Sequence, residues 1–165
     1  MAVNKLSAIT KFASSSEGMV FYMGIDVHKK TYSCALRRED GVLKTWVTDA
    51  TPDKLTNFLA VLGCNIKLIA YETGPCGFGL YRTLSEAGFN TIVVGANQIP
   101  RQAKPTAKND RIDCSKLAEY AHAGLLQGVA VPTREQEAER ALLRRRSQLA
   151  ELVRTSKQRI RAFLL

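Results

Sequence analysis

The sequence predicts an α/β protein built on a mixed five-stranded sheet flanked by helices and followed by one long helix. Three observations predict it. The first third alternates apolar and polar residues with the period of strands, the middle third alternates strand-like and helix-like segments, and the last 32 residues from Arg134 contain neither Gly nor Pro.

The opening residues 1–18 are polar, with a serine run from Ser14 to Ser16, and read as a flexible tail. From Met19, "MVFYMGIDV" is an apolar, β-favouring run; "TYSCALRRE" follows after "HKK" and pairs with it as a hairpin. Asp40-Gly41 makes the next turn, and "VLKTWVT" supplies a third antiparallel strand. "TPDKLTNFLAVLG" carries a helix start in Thr51 and Pro52, apolar positions at Leu55, Phe58, Leu59 and Leu62, and a stop at Gly63. "IKLIAYE" reads as a buried strand, "GFGLYRTLSEAG" as a helix and "NTIVVG" as a fifth strand. Strand, helix, strand, helix implies parallel pairing. Three antiparallel strands followed by this alternation is the order of a ribonuclease H-like sheet.

Residues 96–109 form a loop with two prolines, and Arg101, Lys104, Lys108 and the adjoining Arg111 make it basic. A helix is expected from about Arg111 to Leu126, and a last one from Arg134 to the end. That last helix places Leu142, Leu149, Leu152, Val153, Ile160, Phe163 and Leu164 near a heptad seam, interrupted by Arg145 and Arg159. A seam of this kind needs a partner helix, so pairing of copies through it is expected. The unpaired seam also suggests a fragment whose further domain lies beyond Leu165. The expected division is a tail at 1–18, a catalytic domain at 19–131 and the start of a coiled-coil helix at 132–165.

Charge points to a polyanionic partner. The net charge is +9 and the pI near 9.6. Residues 132–165 hold nine Lys and Arg against four Glu, so more than half of the excess sits on the last helix. Arg144, Arg145 and Arg146 span most of a helical turn and are candidates for DNA or RNA contact. The loop cations Arg101, Lys104, Lys108 and Arg111 are candidates for backbone phosphates. Cys34, Cys64, Cys76 and Cys114 are widely spaced, form no C-x-x-C pair and have neither His28 nor His122 at zinc-ligand spacing, which argues against structural zinc. No apolar run suits a membrane span or a secretory signal, so a cytoplasmic protein with reduced thiols is expected.

Four acids stand out. Asp26 interrupts the apolar first strand and Glu72 closes the apolar fourth. A charge at the end of so apolar a run needs a reason, although a turn cap, a lysine partner or an edge position would each supply one. In a ribonuclease H-like sheet these two strands are neighbours, which puts Asp26 beside Glu72. Asp110 and Asp113 lie three apart in "AKNDRIDCSKLAEYA", on one face of a helical turn; one Asp suits the helix start, but two repel unless a cation relieves them. Four converging carboxylates favour Mg²⁺ or Mn²⁺ through hard oxygen ligands. Two such ions can drive in-line displacement at a phosphodiester, the chemistry of nucleases and strand transfer. His28 reads as a turn histidine outside this set. The glycines 74, 77 and 79 match no phosphate-binding pattern. The Val27-His28-Lys29 run lacks the Gly and Ser or Thr that a sugar-kinase or actin-like phosphate loop needs after its first-strand aspartate.

"GIDVHKK", "YETGPCGFGLYRTLSEAGFN" and "KNDRIDCSKLAEYA", in this order and spacing, resemble the N-terminal domain of the DEDD transposases of the insertion-sequence-110 family, which is similar to the RuvC Holliday-junction resolvase. The resemblance covers the chain from about Phe21 to the final helix. It implies a RuvC-like fold and a metal-binding tetrad of Asp26, Glu72, Asp110 and Asp113. It further implies a DNA transposase or recombinase acting by metal-dependent phosphodiester cleavage and strand exchange, guided by a structured RNA, with a coiled coil leading to a second domain that bears a catalytic serine. Two rival readings are a stand-alone RuvC-like structure-selective nuclease, and a catalytically silent nucleic-acid-binding and dimerisation module.

Overall fold

The computed structural model describes residues 2–74, 76–99 and 110–164, with the backbone alone for residues 2–5 and 110–113. Its elements are α1 (Ala2–Ser14), β1 (Val20–Val27), β2 (Thr31–Arg38), β3 (Leu43–Asp49), α2 (Pro52–Leu62), β4 (Asn65–Glu72), α3 (Gly79–Glu86), β5 (Thr91–Val94), α4 (Asp110–His122) and α5 (Arg134–Leu164). The five strands form one sheet in the order β3-β2-β1-β4-β5. β1, β2 and β3 pair antiparallel, whereas β4 joins β1 and β5 joins β4 in parallel. This is the expected ribonuclease H-like, RuvC-like mixed sheet. Short turns allow the three antiparallel strands to follow one another directly, while the parallel pairs need the helical crossovers α2 and α3.

Strand alternation divides the sheet into two faces. Phe21, Met23 and Ile25 of β1, Ile69 and Tyr71 of β4 and Val93 of β5 are buried on one face, with Leu55 and Leu59 of α2 and Leu80 and Leu84 of α3. Trp46 of β3 meets Phe58 of α2 edge-on at 5.9 Å. The Tyr81 amide of α3 donates to the Tyr71 hydroxyl at 3.2 Å. Burial pushes the Tyr71 phenol up to about 12, outweighing the opposing effect of that N–H donor. The other face carries α4 on smaller side chains: Ala35 with Cys114 and Ala118, and Ala70 and Val94 with Ala121.

Two expectations need correction. The opening segment is a helix rather than a flexible tail. Ile9, Phe12 and Ala13 recur at helical spacing and are buried. The Phe12 ring meets Phe21 edge-on at 5.6 Å, with the Arg38 guanidinium 5.4 Å above it. The serine run finishes this helix: the hydroxyls of Ser14, Ser15 and Ser16 donate to the carbonyls of Lys11, Phe12 and Phe12, and Arg38 donates to Ser16 Oγ at 2.7 Å. Likewise α4 ends at His122 instead of Leu126. Gly124 takes a left-handed φ of 68°, and the Leu125 amide reaches back to the Tyr120 carbonyl at 3.0 Å, a glycine stop that satisfies the last turn.

The chain divides into two units, Met1–Val129 and Ala130–Leu165. The first holds the sheet and its helices. In the second, Thr133 and Gln136 cap α5 reciprocally, each side chain accepting the other's backbone N–H at 3.2 and 3.1 Å, an arrangement worth about 1 kcal/mol. α5 buries none of its residues, and Leu142, Leu143, Leu152, Ile160, Phe163 and Leu164 are all at least 59% exposed. The helix therefore stands as an amphipathic rod with an uncovered apolar seam.

Candidate metal centre

The site grows out of the alternation of β1 and β4. In β1 the residues between the buried Phe21, Met23 and Ile25 are Tyr22, Gly24 and Asp26, which share the α4 face. In β4 the residues on that face are Leu68, Ala70 and Glu72. The parallel register sets Gly24 against Ala70 and Ile25 against Tyr71, so the next step along both strands brings Asp26 beside Glu72 at the strands' C-terminal ends. Asp26 also stands opposite the buried Ser33 of β2.

α4 crosses this face in a readable direction. His122 at its end stacks edge-on against Tyr22 at 4.9 Å, and its middle, Cys114 to Ala118, lies directly over Gly24. Moving from Tyr22 to Asp26 thus moves back along α4 towards its start. The first turn, which contains Asp110 and Asp113, lies towards the strand ends that carry Asp26 and Glu72. The side chains of Asp110, Arg111 and Asp113 lie outside the described residues, as do Arg101, Lys104 and Lys108 altogether. Arg144, Arg145 and Arg146 are exposed on α5.

Among the described residues no three His, Cys, Asp or Glu side chains come together as a metal-holding group. The described members of the expected set are therefore the pair Asp26 and Glu72. Asp26 is mostly buried, at 19% side-chain exposure, and its Oδ2 lies 3.2 Å from Nε2 of His28. In sequence His28 reads as a turn residue outside the site, yet it lies two positions beyond Asp26, where strand alternation returns to the same side. Burial pushes the Cys114 thiol up to about 11, and the nearby Asp26 carboxylate pushes the same way. Cys34, fully buried, is raised well above its ordinary value, again chiefly by burial. In both cases burial disfavours the thiolate.

A sheet in this order, with an acid at the C-terminal end of the parallel strands β1 and β4 and a helix across one face, is a ribonuclease H-like α/β arrangement. The chain belongs to the DEDD transposase family of insertion-sequence-110 type, described simply as transposase, whose pattern it matches over residues 23–165. It is 33% identical over 150 residues to the transposase for insertion sequence element IS1533 of Leptospira borgpetersenii, covering 87% of this chain and 43% of the relative. It is also 33% identical over 149 residues to y4qE of Sinorhizobium fredii, a protein assigned as a transposase, covering 87% of this chain and 38% of the relative. The chain spans about two fifths of the length of these curated relatives. Among solved structures, Thermus thermophilus RuvC aligns with 67% of this chain and 99% of its own at 12% identity and a TM-score of 0.42. The large terminase nuclease of a thermophilic phage aligns with 62% of this chain and 82% of its own at 15% identity and a TM-score of 0.40. No helix among the described residues is long and apolar enough to cross a membrane.

Proposed function

We propose that this chain supplies the metal-binding part of a DNA transposase, with Asp26, Glu72, Asp110 and Asp113 holding Mg²⁺ or Mn²⁺ for phosphodiester cleavage. The observation that supports the reading is the parallel register of β1 and β4, one step short of Asp26 and Glu72, on the face that α4 crosses. The donor set fits the ion: carboxylate oxygens suit hard divalent cations such as Mg²⁺ and Mn²⁺. When bound, such ions activate the attacking oxygen and neutralise charge on the leaving one. Asp26 and Glu72, fixed on the central strand β1 and its parallel neighbour β4, provide rigid ligands. Asp110 and Asp113 complete the set from α4, and His28, with Nε2 3.2 Å from Asp26 Oδ2, steadies the Asp26 carboxylate.

In the same reading Arg101, Lys104, Lys108 and Arg111, which lie close to the two aspartates in sequence, bind backbone phosphates, and Arg144, Arg145 and Arg146 contact DNA or a structured guide RNA. Copies pair through the apolar seam of α5, and strand exchange follows cleavage. The test is incubation with a branched DNA duplex. Nicking is expected with Mg²⁺ or Mn²⁺ and none after chelation by EDTA; nicking that survives EDTA contradicts the reading.

The uncovered seam of α5 and its basic flank favour one alternative, a silent module that binds nucleic acid and dimerises. It predicts salt-dependent binding that responds neither to metal nor to Asp26→Asn.

A further inference from the structure

Gly24 sits in the interior of β1, where glycine weakens a strand and normally has a reason. Backbone conformation is not that reason, because Gly24 is not one of the glycines with positive φ. Space is. A Cβ at this position would lie 2.1 Å from the Cys114 carbonyl oxygen, 2.5 Å from the Ala118 nitrogen and 2.8 Å from the Leu117 Cβ. The two closest atoms belong to the α4 backbone, so no side-chain rotation can relieve the clash. The nearest approach falls more than an ångström short of the 3.4 Å at which ordinary contact begins.

The neighbours follow the same pattern. Ala35 and Ala70 flank Gly24 on the sheet, and Cys114, Ala118 and Ala121 line the facing side of α4. The opposite face, by contrast, is packed with Leu36, Leu55, Leu59, Leu84 and Tyr71. α4 therefore packs close against the sheet at Gly24, two positions before Asp26.

We propose that Gly24 is a positioning residue for the metal centre: its missing side chain sets the height of α4 and so brings the Asp110–Asp113 turn to Asp26 and Glu72. This rests on the metal-site reading above. Metal ligands must be held to a few tenths of an ångström, and lifting the helix by an ångström separates the two halves of the set.

The experiment is Mn²⁺ titration by calorimetry into the whole chain, as wild type, Gly24→Ala and Leu84→Ala, with folding followed by circular dichroism. Leu84 is fully buried under the opposite face, so its truncation lowers stability without touching the α4 seam. Ala118→Val, which wedges the same seam more gently, takes the place of Gly24→Ala if that variant does not fold. The expected result is a loss of about 10- to 100-fold in Mn²⁺ affinity for the seam variant and wild-type affinity for Leu84→Ala. A folded seam variant that binds Mn²⁺ like wild type overturns the assignment, and so does an equal loss in Leu84→Ala, which would mark the effect as general destabilisation. Absence of binding by the wild type would instead overturn the metal-site reading on which it rests.

Discussion

Asp26→Asn is expected to slow metal-dependent cleavage of branched DNA by roughly 10²- to 10³-fold. The substitution keeps shape and volume but, in the proposed site, replaces an anionic ligand with a neutral amide. Metal stabilisation of transition-state charge is worth several kcal/mol, and each ~1.4 kcal/mol is a tenfold change in rate. Asp26 is the acid whose loss should matter most, because it is mostly buried on the central strand, with Ser33 opposite on β2, His28 against its carboxylate and Cys114 within its field. A purely structural aspartate would predict a different outcome, since His28 can hydrogen-bond an amide oxygen and the fold would persist with its rate unchanged. Single-turnover cleavage at saturating protein distinguishes the two; a rate within a fewfold of wild type goes against a ligand role.

The largest expected effect on stability is that of Phe21→Ala, at about 3–5 kcal/mol. Phe21 is fully buried in β1, stacks edge-on with Phe12 of α1 and pairs through its backbone with β2 and β4. Removing the ring deletes its own burial and also the surface on which α1 rests, so two elements lose packing at one site. Against a typical domain stability of about 5–15 kcal/mol, that is a large share. Urea unfolding measures it directly. Val47→Ala, at a residue 54% exposed on the edge strand β3, is expected to shift stability by no more than about 0.5 kcal/mol. A Phe21→Ala loss below about 1 kcal/mol would mean that α1 and its neighbours refill the space.

The sheet order was legible because its signals are local. Each strand carries its own period-two pattern, and short turns against helical crossovers dictate which pairs are antiparallel. Asp26 and Glu72 were legible for the opposite reason, as charges that violate the apolar patterns around them. What stayed hidden depends on tertiary partners. The serines after Phe12 look like a loop in sequence, yet their hydroxyls close the end of α1 once Phe12 has docked on Phe21. Gly24 looks like a dispensable strand glycine until α4 is laid across it. Gly124 was a readable stop, but the apolar Leu125 and Leu126 beyond it extend the helical pattern and obscured it. His28 needed only the alternation rule carried one step past the strand end.

The measurement that tests the central claim most directly is calorimetric titration of Mn²⁺ into the wild-type chain and into Asp26→Asn at low salt, with and without a short branched DNA. Saturable heat in the wild type, lost in Asp26→Asn, is the predicted result. Equal heats in the two proteins, or none in either with DNA present, would contradict a metal centre built on Asp26 and leave the basic helix α5 as the better account of what this chain does.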